Sequence, residues 1–495
     1  MKKIAIIGSG FSSLAAACYL AKKGNEITVY EKNKTLGGRA RILEKEGFRF
    51  DMGPSWYWMP DVFERFFNDF GKSPKDYYHL VRLNPAYKVF FDEGAPIEIP
   101  DSIEAITALF EKEEKGSAKK LTSFIKEAHY NYEVAIKDLV YKPGVSPVEL
   151  ITPKTIVNVG QFFTNIRREV RRRFKSKRLI KILEFPVLFL GAKPQDTPAF
   201  YNFMNYADLV LGTWYPIGGM YEVVKAMHAL GEELGVKYEV DSNIDEILVD
   251  GNTAVGIKVN GEEVYTDVVL SGADYHHTET LLPKNLRGYS EKYWDNRTFA
   301  PSALLYYVGF DKKLENLQHH NLFFDKDFDV HAKEIYDTPE WPSDPLFYTS
   351  FPSMTDAMVA PEGKECACFL IPLAPDLTDS EEKRTMYFDM VMNRLEKHTK
   401  QSLKEHIIFK ESYCVTDFKR DYNSYKGNAY GMANTLRQTA FLRPKIKSKK
   451  VKNLFFTGQL TVPGPGVPPA LISGKITAEL IIKQETNIKA YGSVV

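Results

Sequence analysis

The chain has 495 residues, with 65 lysines and arginines against 64 aspartates and glutamates, a formal net charge of +1. That balance argues against a general nucleic-acid binder, which shows a basic excess where it meets phosphate. A hydrophobic fraction of 44% excludes a disordered or fibrous chain, and the length predicts two or three domains. The four scattered cysteines, Cys18, Cys366, Cys368 and Cys414, supply neither a disulfide framework nor a zinc site, which fits a reducing, cytoplasmic compartment.

Lys2 and Lys3 precede an apolar stretch over 4–20 that has the outline of a signal peptide, but Gly8, Ser9, Gly10, Ser12 and Ser13 puncture it. The better reading is a buried strand at 4–7, a helix over 12–23 stopped by Gly24, and a second strand at 27–30. Such a β-α-β unit requires a parallel sheet, so the fold class is α/β with a doubly wound, Rossmann-like domain. Downstream, the spacing predicts a helix over 101–110 opened by an Asp101–Glu104 capping box, and a helix within 218–234. Strands are predicted at 244–249, 254–259, 264–270, 304–310, 366–373 and 454–456, and a last helix over 468–482. We expect a nucleotide-binding domain built from 1–80, 215–280 and 445–495, with a substrate-binding and membrane-associating α+β part inserted at 81–214 and 281–444. No apolar run reaches the roughly 20 residues that span a bilayer, so membrane contact would be peripheral.

The chemistry is concentrated near the N-terminus. Gly8 allows a tight turn, Gly10 lets backbone approach a pyrophosphate at a helix N-terminus, and Ser12 and Ser13 open that helix, with Ser13 where a third small residue belongs. Glu31, 21 residues after Gly10 and followed by Lys32, ends the second strand where a carboxylate accepts from a ribose 2′-hydroxyl. The same charge disfavours a 2′-phosphate, leaving FAD or NAD. Gly37, Gly38 and Arg39 follow, and an arginine there neutralises a diphosphate while the glycines turn the chain close to the cofactor.

With that glycine-glycine-arginine box the sequence resembles the flavin amine-oxidase-like superfamily, and within it the bacterial carotenoid desaturases of the phytoene desaturase type. The resemblance runs nearly end to end, through 47–55, 214–220, 243–247, 453–459 and 463–468. It implies non-covalent FAD, with Gly53, Pro54 and Ser55 leading to the flavin ring and the Ile244 backbone meeting the adenine. It also places Gly458 and Gln459 by the diphosphate and ribityl chain, and the helix after Gly466 and Val467 pointing at the isoalloxazine. Gln459 stands where much of the superfamily has an acid, and Ser13 replaces a glycine.

The implied reaction is stepwise desaturation of phytoene to lycopene, with hydride transfer from an allylic carbon to flavin and loss of a proton, and with oxygen or a quinone as electron acceptor. The rivals are a desaturase or isomerase of a later carotenoid, such as a hydroxyneurosporene-type desaturase, then an amine oxidase-like enzyme, then a non-catalytic flavoprotein. The sequence identifies no general base and no metal site. Trp56, Tyr57, Trp58, Phe200, Tyr201 and Trp214 are candidates for a tunnel holding a hydrophobic polyene. Asp51 and Arg41 are as well explained by structural roles, and the pairs His276-His277 and His319-His320 read as surface or loop residues. The basic run Arg167, Arg168, Arg171, Arg172, Arg173, Lys175, Lys177 and Arg178 beside an apolar stretch is the pattern of an interfacial segment on anionic lipid, a membrane partner that the hydrocarbon substrate also favours.

Overall fold

The computed structural model describes residues 1–150, 153, 159–435 and 437–492. The apolar strand Lys3–Ile7 leads through the helix Phe11–Ala21 to the strand Glu26–Tyr30, which pairs parallel to it with Ile4 opposite Ile27. Gly24 turns the chain between them at φ +82°, where a Cβ would be strained. Distant segments complete an all-parallel sheet in the order Leu454–Phe456, Val268–Ser271, Lys3–Ile7, Glu26–Tyr30, Lys237–Glu239.

A buried parallel sheet must be covered on both faces, and the two-residue alternation of its strands divides the side chains between two covers. Ile4, Ile6, Ile27, Val29, Val268 and Leu270 pack with the helices Phe11–Ala21, Tyr221–Glu233 and Val467–Gly492. Ala5, Ile7, Val269, Leu454 and Phe456 share a separate core with Ile244, Ile247 and Ile257. That second cover is an antiparallel meander, Ile244–Asp250, Thr253–Val259 and Glu262–Tyr265, where a doubly wound sheet would place more helices.

Two sequence expectations are corrected. The alternation over 264–270 is two strands, because Asp267 ties back to Lys3, donating its N–H to the Lys3 carbonyl and accepting the Lys3 N–H at 2.8 Å. Glu262–Tyr265 therefore stays in the meander while Val268–Ser271 enters the parallel sheet. The helix Ile103–Glu113 is capped by Ser102 rather than Asp101, the Ser102 hydroxyl accepting from Ala105 N at 3.2 Å.

A seven-stranded mixed sheet forms the second layer, ordered Ile407–Tyr413, Ser302–Phe310, Glu365–Leu373, Phe347–Ser350, His320–Phe324, Tyr87–Phe91, Ile97–Ile99. One face, with Tyr306, Val308, Phe323, Phe369 and Ile371, buries against Phe388, Val391, Met392 and Leu395 of the helix Glu381–Thr399. The register Leu322 to Tyr348 to Leu370 to Leu305 runs side by side across four strands on the opposite face.

The basic run lies on the helices Ile166–Arg173 and Lys177–Glu184. Five of its arginines are paired within the chain: Arg167 to Asp329, Arg171 to Glu184, Arg172 to Glu169, Arg173 to Glu127 and Arg178 to Glu113. Much of its charge is thus answered by the protein itself. No helix among the described residues is long and apolar enough to cross a membrane.

Packing is tight where the last helix crosses the first. A Cβ on Gly474 would lie 2.3 Å from the Ser12 carbonyl oxygen and 2.8 Å from Ala15 Cβ, with no flexible side chain to give way. Gly474→Val is expected to destabilise the protein by about 1–3 kcal/mol or more, read as a lowered midpoint in urea unfolding.

Candidate functional site

The N-terminus of the helix Phe11–Ala21 opens into a cavity of about 740 Å³. Gly8 holds φ +83° and donates its N–H to Tyr30 at 2.8 Å, which brings the turn against the end of the second strand. Gly10 has an ordinary φ of −66°, and a Cβ added there would meet no protein atom within 4 Å. The protein's own packing therefore does not demand glycine at position 10, and the space beside it is open to a ligand. The helix start carries no side-chain cap and no acidic residue, so its free N–H groups are open to an anion.

Arg39 faces the same space. It is held by Ser424 Oγ at 3.1 Å and the Asn428 carbonyl at 3.2 Å, its Nε has no partner, and no carboxylate lies within ion-pair distance among the described residues. Burial pushes its pKa down, the response of a cation with no close counter-ion. Gln459 explains why. With its amide oriented to satisfy both ends, its oxygen accepts from the Arg39 guanidinium at 3.0 and 3.1 Å and its nitrogen donates to the Tyr430 carbonyl. An acid at that position would have neutralised Arg39, whereas the amide leaves the charge available to a phosphate.

Of the sixteen residues predicted to contact the cofactor, fifteen line this one cavity: Gly8, Gly10, Ser12, Glu31, Lys32, Gly38, Arg39, Gly53, Pro54, Ser55, Ile244, Gly458, Gln459, Gly466 and Val467. Glu31 is buried, accepting from Ser9 N and Oγ and from Asn33 N and Nδ2 at 2.6–3.0 Å, so its carboxylate is fixed at the edge of the site. Lys32 is tied to the Arg420 carbonyl at 2.7 Å. Ser13 is the exception, fully buried beneath the loop, and Gly272 is small because a Cβ there would come 2.0 Å from Ser13 Oγ. Asp51 and Arg41 have structural roles. Asp51 accepts from Met220 N and Tyr221 N at the start of the helix Tyr221–Glu233, its pKa pushed up to about 6 by burial, and Arg41 pairs with Asp421 at 2.7 Å.

Beyond the Met52–Ser55 turn the cavity continues as an apolar arm. Its walls are the free face of the mixed sheet, with Leu305, Leu322, Phe324, Tyr348 and Leu370, and an aromatic cluster of Trp56, Trp58, Phe185 and Phe189. Phe200 and Tyr201 join it as expected. Tyr57 and Trp214 do not: Tyr57 stacks on Phe63 and bonds Tyr78, and Trp214 donates its indole N–H to the Leu211 carbonyl. The helix Phe328–Tyr336 adds Phe328, Ala332, Ile335 and Tyr336 at helical spacing, a stripe that sequence periodicity could have revealed. The histidine pairs are not exposed loop residues, although His319 sits in the bend just before a strand. His319 and His320 are buried at the edge of the strand His320–Phe324, and His276 and His277 lie in the helix Tyr275–Thr280 with His277 lining the cavity.

Comparison with known proteins fits this geometry. Residues 11–482 match the family model of flavin containing amine oxidoreductases. The chain is 42% identical over 484 residues to a carotenoid 3,4-desaturase of Haloarcula japonica, covering 97% of this chain and 98% of that protein. It is 32% identical over 498 residues to a 4,4'-diapophytoene desaturase (4,4'-diaponeurosporene-forming) of Staphylococcus haemolyticus, with 97% and 98% covered. The chain belongs to the carotenoid desaturases of the flavin containing amine oxidoreductase family. Solved structures share the fold: an oxidoreductase from Methanosarcina mazei superposes with a TM-score of 0.65 at 16% identity, covering 96% of this chain and all of that one. A putrescine oxidase variant gives 0.63 at 14%, covering 97% and 99%.

FAD is the cofactor, and the open space at Gly10, the uncapped helix and the unneutralised Arg39 fit its diphosphate. Gly10→Ala is expected to match the wild type in thermal stability when both are compared free of FAD, yet retain little FAD after purification, since the added methyl meets only the ligand space. Arg39→Ala is expected to weaken FAD binding about tenfold or more, the loss of charge-assisted hydrogen bonds. Flavin absorbance per mole of purified protein checks both.

Proposed function

We propose that the protein desaturates an acyclic carotenoid, and that its bond is the 3,4 bond of an already conjugated polyene rather than those of colourless phytoene. The observation that carries the first part is the single chamber in which the dinucleotide loop opens into an aromatic and aliphatic arm without a charged docking group among Phe185, Phe189, Phe324, Leu322 and Leu370. Such a wall suits a hydrocarbon chain. The second part is favoured by 42% identity to the 3,4-desaturase against 32% to the diapophytoene desaturase. That latter kinship supports stepwise conversion of phytoene to lycopene as the second reading.

Bound FAD supplies the two-electron acceptor for oxidation of a carbon-carbon single bond to a double bond. The chain's own contribution is to hold the cofactor through Gly8–Ser12, Arg39 and the Gly458 and Gly466 turns, to align the polyene in the arm and to exclude water from it. Oxygen or a quinone would serve as the terminal electron acceptor.

Delivery of such a substrate requires contact with lipid at the cytoplasmic membrane surface, and the cavity mouth is suited to it. Val145, Val148 and Leu442 stand exposed there, interleaved with the cavity-lining residues Gly144, Ser146, Glu149 and Phe441. Lys445 Nζ clamps the two loops together through the Gly144 and Phe441 carbonyls, each at 3.0 Å. We place the lipid contact at this apolar rim, the basic run being largely paired. The double variant Val145→Asp, Val148→Asp is expected to lose most of its sedimentation with liposomes while keeping FAD; undiminished sedimentation would contradict the rim assignment.

The substrate is tested by incubating the FAD-loaded protein aerobically with liposomes carrying lycopene or phytoene. A shift of the lycopene bands to longer wavelength is expected, reporting extended conjugation. New visible bands from phytoene alone would favour the second reading, and an unchanged spectrum from both would contradict a carotenoid substrate.

A further inference from the structure

Making a double bond from a C–C single bond removes a proton as well as a hydride equivalent, and an apolar arm offers few groups to receive it. The arm wall contains a chain of hydrogen-bonded groups that leads from Ser55 and Tyr348 to a buried histidine. Ser55 and Tyr348 both line the cavity, and their hydroxyls share a hydrogen bond of 2.8 Å. Tyr348 Oη is 2.7 Å from Nδ1 of His320, which is fully buried and whose Nε2 has no partner among the described residues. We propose that Tyr348, with Ser55 beside it, takes the proton lost from the substrate carbon while passing its own hydroxyl proton to His320. The proposal rests on the desaturase reading.

The step balances. The C–H bond breaks with its electron pair becoming the new π bond, Tyr348 Oη gains that proton and gives up its own to Nδ1, and His320 ends as an imidazolium. The hydride equivalent of the adjoining carbon is the share that the family's flavin takes.

Three features of the site suit this role. First, the paired strands hold the donor and acceptor in place: Leu322 lies opposite Tyr348 in the register, which puts His320 on the same face of the sheet one diagonal away. Second, Trp56 stacks on His320 with ring centroids 4.2 Å apart and planes 10° apart, which fixes the imidazole and presents an indole face to the charge it acquires. Third, burial pushes the His320 pKa well below the usual histidine range, so the ring rests neutral with Nδ1 able to accept. A carbocationic polyene is acidic enough to protonate even so weak a base, and the same burial makes His320 give the proton up again. Behind Ser55 a small cavity of about 10 Å³, room for about one water, is lined by Asp51, Tyr215, His319 and Ser350, so the relay backs onto further polar groups.

Tyr348→Phe keeps the ring and removes the relay. The test mixes FAD-loaded protein anaerobically with lycopene liposomes, and in parallel with phytoene liposomes, and follows bleaching of the oxidised flavin band in H₂O and D₂O. The variant is expected to bleach about a hundredfold more slowly, with unchanged FAD content and unchanged dependence on polyene concentration, and to lose the solvent isotope effect of the wild type. His320→Asn, which keeps a polar side chain but no base, is expected to behave alike and serves if Tyr348→Phe fails to fold. Bleaching by either variant at the wild-type rate, or a structural loss of FAD that accounts for the slowing, would overturn the relay alone. A wild-type protein that neither polyene bleaches would overturn the desaturase reading and the relay with it.

Discussion

A guanidinium buried without a carboxylate must be answered by some other anion or it costs the fold several kcal/mol, and the arrangement around Arg39 is built on that constraint. Its hydrogen bonds go to Ser424 Oγ and a carbonyl, its neighbour Gln459 is an amide, and the uncapped start of the first helix adds positive potential from the other side. The glycines follow from it. Gly10 leaves the room a phosphate needs, and Gly53 is glycine because a Cβ there would strike the Arg39 carbonyl oxygen at 2.3 Å. The polar half of the chamber thus fits a diphosphate, with residues gathered from separated stretches of chain.

The apolar half depends on a different regularity. Alternate residues of the mixed sheet point to opposite faces, so the same strands that bury Tyr306, Phe323 and Phe369 against the helix Glu381–Thr399 turn Leu305, Leu322 and Leu370 toward the cavity. A sheet with a helix on one side and a chamber on the other gives a rigid wall, which is what the proposed binding of a featureless hydrocarbon requires. Ser55, Tyr348 and His320 form a hydrogen-bonded polar interruption beside that face.

Much of the nucleotide-binding half was legible in the sequence, because its signals are local. A strand, a glycine turn, a helix and an acid within 31 residues specify one geometry, and fifteen predicted contacts gathered from positions 8 to 467 meet in one cavity. The failures are tertiary. Nothing in 264–270 announces that Asp267 will bond to Lys3 and split the strand. His319-His320 looks like a polar pair until the strand His320–Phe324 is found paired on both sides, with Phe347–Ser350 and with Tyr87–Phe91. The carboxylate partners of the basic run, Glu113, Glu127, Glu184 and Asp329, could not be read from it, because they come from other elements or opposite ends of the same hairpin. Composition reports a charge; only the fold reports its partner.

The central claim, one chamber shared by FAD and a polyene, is tested most directly by an experimental structure of the protein with FAD and a carotenoid bound. The predicted result has the diphosphate against Gly10 and Arg39, the ring system at the Met52–Ser55 turn, and the polyene between Phe185 and the Leu322, Tyr348, Leu370 face. A cofactor whose ring points away from that arm, or an arm closed to the polyene, would contradict it.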